Sequence, residues 1–421
     1  MMPNPLIKEQ VQIKRHSWIK ELFLNKNFTL IWASNVISSF CFSVYLLMES
    51  WYVIHYLDAK SWLGIVLMAT TVPRILLMVI GGVFSDRWKR ETILFSSLFI
   101  RGALLLIMSM LLFLHQLDIY LLLFFSLLFG ILDAFFIPAN QSLLPHVLLK
   151  RQLFRGNSIL QGSTQLILII GPIVGGLMLE NLSYTLITSI VAVFLLLTSI
   201  IIRFIKLNID IDIDNVLKSS MIGSLKEGFI YIKSSRILLT LMCSSLILNF
   251  FIAGPGSMAI PLIATDVLHG TAIHLSILES AIAIGMITGI FLIGLINPTK
   301  KRGVIVLGQL FLLGSIMVFL SFTTQLWQSA VAFVLLGIGI TAGDIPVRTM
   351  IQEKTDPEMM GRVTAMMSTV SNGFVPVSYG LTSLMLSYSL PINKILFCSG
   401  CLVLFFFILM VSVSKTLRKT E

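Results

Sequence analysis

The sequence predicts an all-α membrane protein with twelve transmembrane helices, and three observations carry that expectation. Hydrophobic residues make up 56% of the 421 and charged residues only 12%, against ~25% charged in an ordinary soluble domain. The apolar residues fall in continuous runs without the in–out alternation of barrel strands, so the spans are helices that satisfy their own backbone in lipid. Most basic residues sit between the runs rather than in them.

A helix needs ~20 residues to cover ~30 Å of hydrocarbon. On that measure the runs place spans at 28–56, 62–84, 91–114, 119–140, 158–180 and 182–204, then 237–262, 274–297, 303–322, 326–347, 362–388 and 391–414. The implied organisation is an N-terminal segment 1–27, a six-helix bundle 28–205, a linker 206–236, a second six-helix bundle 237–414 and a tail 415–421. The first 27 residues are polar and basic and the run after them is too long for a signal-peptide core, so it reads as an uncleaved first span.

Orientation follows from charge. Of the 30 Lys and Arg, all but Lys60, Arg74, Arg101 and Lys394 fall in segments that share one side if the amino terminus is cytoplasmic. Cytoplasmic loops hold the excess of basic residues, so both termini are expected inside a multi-pass protein of the cell membrane. The same placement makes nucleic acid a poor partner despite the formal charge of +10. The linker carries an alternating Ile–Asp tract, Ile209 to Asp214, read as a charged flexible connector. Leu225 to Lys233 suits an amphipathic helix at the inner face.

Four cysteines are present, Cys41, Cys243, Cys398 and Cys401. The C-x-x-C of the last pair lies inside the final apolar run with no second ligand pair, so core packing is expected rather than zinc or a disulfide framework.

The two halves look repeated. Span 4 ends with Gly130, Asp133 and Pro138, followed by Gly156 and the Gly171-Pro172 of span 5; span 10 ends with Gly337, Asp344 and Pro346, followed by Gln352, Gly361-Arg362 and Pro376. Parallel six-span repeats with substrate held between them are one transporter plan.

After span 2 comes Gly81-Gly82-Val83-Phe84-Ser85-Asp86-Arg87-Trp88-Lys89-Arg90. It resembles the major facilitator loop signature G-x-x-x-D-R-x-G-[RK]-[RK], matched at Gly82, Asp86, Arg87 and Arg90. Lys89 stands where a second glycine is usual, and Glu91 where the last basic residue is. The equivalent stretch in the second half, Gly294 to Arg302, keeps the glycine and the basic cluster but no aspartate. In span 5, Gly171-Pro172-Ile173-Val174-Gly175-Gly176 resembles the G-P-x-x-G-G part of the antiporter motif of that superfamily. Pro172 removes a helix hydrogen bond, and Gly171, Gly175 and Gly176 offer a flat packing face; a kinked seam with no bearing on direction is the competing account.

Phe136 to Pro145, Glu227-Gly228-Phe229, and Gln352 with Asp356-Pro357-Glu358 and Gly361-Arg362-Val363 narrow the likeness. They resemble the drug:proton antiporter branch that holds macrolide efflux proteins and enterobactin exporters; lysophospholipid transporters look similar at this level. The resemblance runs from Asn27-Phe28 to the last span. It implies a major facilitator fold of two pseudo-symmetric bundles, rocking to give alternating access, with spans 1, 4, 7 and 10 around the cavity.

Ionisable groups inside spans are costly and need a partner, a wet cavity or a proton. Glu49 in span 1, Asp133 in span 4 and Asp344 near the end of span 10 are therefore the candidate proton or cation sites. Glu49 leads, because no basic residue is in obvious reach. Asp133 has a static pair with Arg101 or Arg74 as its alternative, and Asp344 a solvated place at the loop edge. Arg101 and Arg74 can bind an anionic substrate or pair within the bundle. Glu279 in span 8 and the Gly254-Pro255-Gly256 break in span 7 complete the polar inventory.

No G-x-x-x-x-G-K-[ST], H-E-x-x-H or G-x-S-x-G occurs, so an enzyme is not expected, nor a metal or other cofactor. The expectation is a monomeric secondary exporter in the lipid bilayer, moving small lipophilic, macrolide-like substrates against protons. Export of a siderophore, another metabolite or a lysophospholipid is the alternative within transport, and a non-transporting membrane sensor the alternative outside it.

Overall fold

The structure is a computed structural model that describes residues 20–205, 221–296, 298 and 302–413, without the side chains of residues 79, 83, 86, 87, 221–225 and 413. The Ile–Asp tract and both terminal tails lie outside the described residues.

The first half holds α1 (Lys26–Trp51), α2 (Leu63–Arg87), α3 (Arg90–Phe113), α4 (Ile119–Leu143), α5 (Lys150–Asn181) and α6 (Tyr184–Arg203). A short helix α7 (Met221–Ser234) precedes the second half. That half holds α8 (Arg236–Phe251), α9 (Ala253–Leu262), α10 (Ala272–Ile296), α11 (Arg302–Leu320), α12 (Leu326–Lys354), α13 (Met360–Gly373), α14 (Val375–Ser387) and α15 (Ile392–Val413). Polar residues at the run boundaries start several of them: Asn25, Asp118, Ser183 and Ser235 each accept from a first-turn backbone N–H.

Eleven of the described helical stretches are long and apolar enough to span a membrane, α8 and α9 counting as one. The twelfth expected span, 362–388, is broken at Phe374 into α13 and α14, each too short to qualify alone. Pro376 explains the break, since it has no N–H to carry the helix through that turn. The sequence expects one continuous helix there.

Glycines set the seams within each half, and the seams correspond. Gly130 of α4 lies on the Thr70 carbonyl of α2, as Gly337 of α12 lies on the Ile282 carbonyl of α10. Gly102 of α3 meets Ala192 and Leu196 of α6, as Gly314 of α11 meets Gly400 and Leu404 of α15. The first and seventh spans also end alike, in π-helical turns at Tyr52–Tyr56 and Ile263–Val267. Each turn is followed by a left-handed residue, Asp58 at φ 45° and His269 at φ 46°.

The halves meet along α5 with α10 and α2 with α14. The end of the molecule that carries α7 is called here the linker end, and the opposite one the far end. At the far end the halves touch: Lys60 Nζ is 2.8 Å from Asp266 Oδ1, and Ser383 Oγ donates to the Ser61 carbonyl. Beside the middle of α2 a cavity lies between the halves.

One expectation fails in the last span. Cys398 and Cys401 are exposed on α15 rather than packed in the core. Lipid is as apolar as a protein interior, so an apolar run does not say which of its faces is buried. Outward-facing Phe405, Ile408 and Leu409 of the same helix share that surface.

Candidate functional site

Three polar centres occupy the interior. The first surrounds Glu49, near the far end of α1 and only 2% exposed. Tyr45, one turn earlier on α1, donates to Glu49 Oε1 at 2.8 Å. Ser126 of α4 lies 2.7 Å from the same oxygen and 2.9 Å from the Leu122 carbonyl. Ser126 has one proton for these two acceptors. Among the described residues no cation pairs with Glu49.

The second centre joins α3 to α4. Arg101 is ion-paired with Asp133, and both are buried, 8% and 5% exposed. The guanidinium carbon also lies 5.9–6.0 Å from the ring centres of Phe42, Phe129 and Phe136. Phe129 stacks edge-on against Tyr45 at 5.1 Å, so the two centres share a wall. Of the alternatives left open for Asp133, the geometry is the static pair with Arg101.

The third centre is a pair of adjoining cavities, one within the second half and one between the halves. A cavity of about 300 Å³ is lined by Asn249 of α8, Gln309 of α11, Asp344, Arg348 and Gln352 of α12, and Ser368 and Asn372 of α13. Asp344 is exposed to this cavity from within α12, which continues to Lys354 and so extends well past the expected span end. An adjoining cavity of about 360 Å³ shares Ser368 and Asn372 and reaches Thr71, Arg74, Ile75 and Met78 of α2. Together they form a vestibule that reaches the interface of the two halves. Glu279 sits in α10, half-buried and outside these linings.

The loop-signature residues gather at the linker end. Arg90 Nη1 is 2.6 Å from His146 Nε2, tying the start of α3 to the turn after α4. Its counterpart Arg302 pairs with Glu353 at 2.5 Å, tying the start of α11 to the end of α12. The second half thus has an acid at this junction, supplied by α12 rather than by the Gly294–Arg302 stretch. Asp86 and Arg87 have no described side chains. Gly82 faces open space, whereas Gly81 carries the close approach, to the Ala134 carbonyl. Gly361 also faces open space. Arg362 pairs with Glu227 of α7 at 2.8 Å, and Tyr231 of α7 donates to Asp356 at 2.9 Å.

In the antiporter-like stretch, Gly171 faces Ser43 and Gly175 faces Val44 and Leu47, all on α1. Gly176 faces Ala272 and Ser276 of α10, in the other half. Pro172 leaves α5 unbroken to Asn181. Ser280 of α10 donates to the Ile169 carbonyl at 3.0 Å, in the turn that Pro172 loosens.

Sequence reasoning named Glu49 but not its hydroxyl partners Tyr45 and Ser126, nor Gln309, Ser368 or the Lys60–Asp266 pair. Hydroxyls and amides are common in spans, and nothing in their spacing marks these.

The profile of the Major Facilitator Superfamily matches residues 31–378. The chain belongs to this superfamily of membrane transporters. It is 26% identical to "Macrolide efflux protein A" of Streptococcus pyogenes over 386 residues, 90% of this chain and 93% of that one. It is 24% identical to the "Uncharacterized MFS-type transporter YvqJ" of Bacillus subtilis, over 83% of this chain and 84% of that one. In fold it is similar to a variant of the nucleoside transporter NupG, with a TM-score of 0.74 at 12% identity, covering 91% of this chain and 99% of that one. It is also similar to a POT family transporter in complex with 5-aminolevulinic acid, with a TM-score of 0.72 at 12% identity, covering 93% and 96%. At such identities these structures speak for the twelve-helix fold and nothing finer.

Proposed function

We propose that this transporter is a proton-coupled exporter of lipophilic compounds in the cell membrane, with its linker end in the cytoplasm. The observation that carries the reading is the Tyr45–Glu49–Ser126 set: a buried carboxyl in α1 with two hydroxyl partners and no cation. An uncompensated carboxylate at that depth is costly, and a proton removes the cost. Its loading and release therefore give a switch between two arrangements of the halves. Asp133 is less suited to that role, since Arg101 already neutralises it.

The basic residues of the linker-end segments support the orientation. The far-end contacts and the vestibule then support an arrangement open to the cytoplasm, as an exporter loading substrate requires. Macrolides are the first compounds to try, because relatives that align over most of the chain are named for their efflux.

Purified protein in proteoliposomes, with macrolides and a panel of other lipophilic compounds and an imposed pH gradient, tests the reading. Gradient-dependent export by the wild type is expected. Absence of any gradient-driven flux across the panel rejects it.

A further inference from the structure

We propose that Arg74 is an anion-binding group of the vestibule, so that the compounds carried include amphiphiles with a carboxylate or phosphate head. This rests on the exporter reading above and names a substrate class for the same pathway.

Arg74 stands midway along the 25 residues of α2, more than ~15 Å of helix from either end. It is too deep for its side chain to reach a membrane interface. An intramembrane cation is ordinarily paired. The other one here obeys: Arg101 holds Asp133 and three aromatic rings. Arg74 has no hydrogen bond, ion pair or ring contact among the described residues. Asp133 is engaged by Arg101, and Asp344 opens into the adjoining cavity with Arg348 in the same lining.

The surroundings fit a head and a tail. Asn372 can add a hydrogen bond beside the guanidinium, while Ile75, Met78, Ile137 and Val375 line the same cavity with apolar surface. Arginine stays charged, and its forked donors match the two oxygens of a carboxylate or phosphate. The surrounding low-dielectric walls make that pairing stronger than in bulk water.

The test is binding to the purified full chain in zwitterionic-lipid nanodiscs, without any gradient. The probes are a dansyl-tagged undecanoic acid, its carboxamide and its trimethylammonium analogue, followed by fluorescence. We expect the acid to bind the wild type at least tenfold more tightly than either analogue. Arg74→Gln should bring the acid down to the carboxamide and leave the carboxamide unchanged, which shows that the fold is intact. Arg74→Lys should keep a weakened preference for the acid. Equal binding of acid and carboxamide by the wild type overturns the proposal, as does a preference that survives Arg74→Gln.

Adding phosphatidylglycerol to the nanodiscs separates two sources of the anion. Competition with the acid assigns the site to a lipid headgroup, and unchanged acid binding assigns it to a soluble amphiphile. Failure of the exporter reading looks different: the acid preference persists while proteoliposomes show no flux.

Discussion

Lys60, in the turn before α2, forms an ion pair with Asp266, in the π-helical turn after α9, with Nζ 2.8 Å from Oδ1. The two residues come from different halves, so this contact exists only while the far end is closed. Ser383 and Ser61 close beside it.

The pair is 42% and 36% exposed, so it contributes at most about 1 kcal/mol. That is enough to shift an equilibrium between two arrangements about fivefold. In a background with the native cysteines replaced, Ser383→Cys labelling by an impermeant thiol reagent should quicken several-fold with Lys60→Glu. Lys60→Glu with Asp266→Lys should restore slow labelling. Equal rates in all three proteins would mean the pair does not hold the far end shut.

Asp133 and Arg101 lie together in the protein interior, so removing one strands the other. Asp133→Asn is expected to cost about 3–5 kcal/mol of stability and to lower the melting temperature in detergent. Replacing both by apolar residues of similar size should recover most of that loss. A melting temperature unchanged in Asp133→Asn would contradict the pairing.

Two adjacent glycines separate motif from packing. A methyl group at Gly81 would lie on the Ala134 carbonyl, and one at Gly82 would meet nothing. Gly81→Ala should therefore reduce folded yield and transport, while Gly82→Ala should leave both near wild type, although Gly82 is the residue that aligns with the loop signature. Expression and flux measured side by side decide between them.

Much of the fold was legible in the sequence because lipid leaves the chain so few choices. Long apolar runs became helices, and boundary residues such as Asn25 and Ser183 became caps. Facing was not legible. The last span is apolar all round, so Cys398 and Cys401 gave no sign that they point outward. Phe374 was read through because both sides of it are helical in composition, although Pro376 marked the interruption. At the site, Glu49 stood out as a charge in an apolar run. Ser126 did not, since its role depends on α4 passing α1 at that height. Lys60 and Asp266 are ordinary loop charges until the two halves are brought together.

The account turns on Glu49 taking up and releasing a proton within the Tyr45–Ser126 pair. Proton movement triggered by a transported compound, recorded with a pH-sensitive dye in proteoliposomes, tests this directly in the wild type and Glu49→Gln. Compound-dependent proton movement in the wild type, lost in Glu49→Gln while compound binding remains, is the predicted result. Proton movement of wild-type size in Glu49→Gln would contradict it.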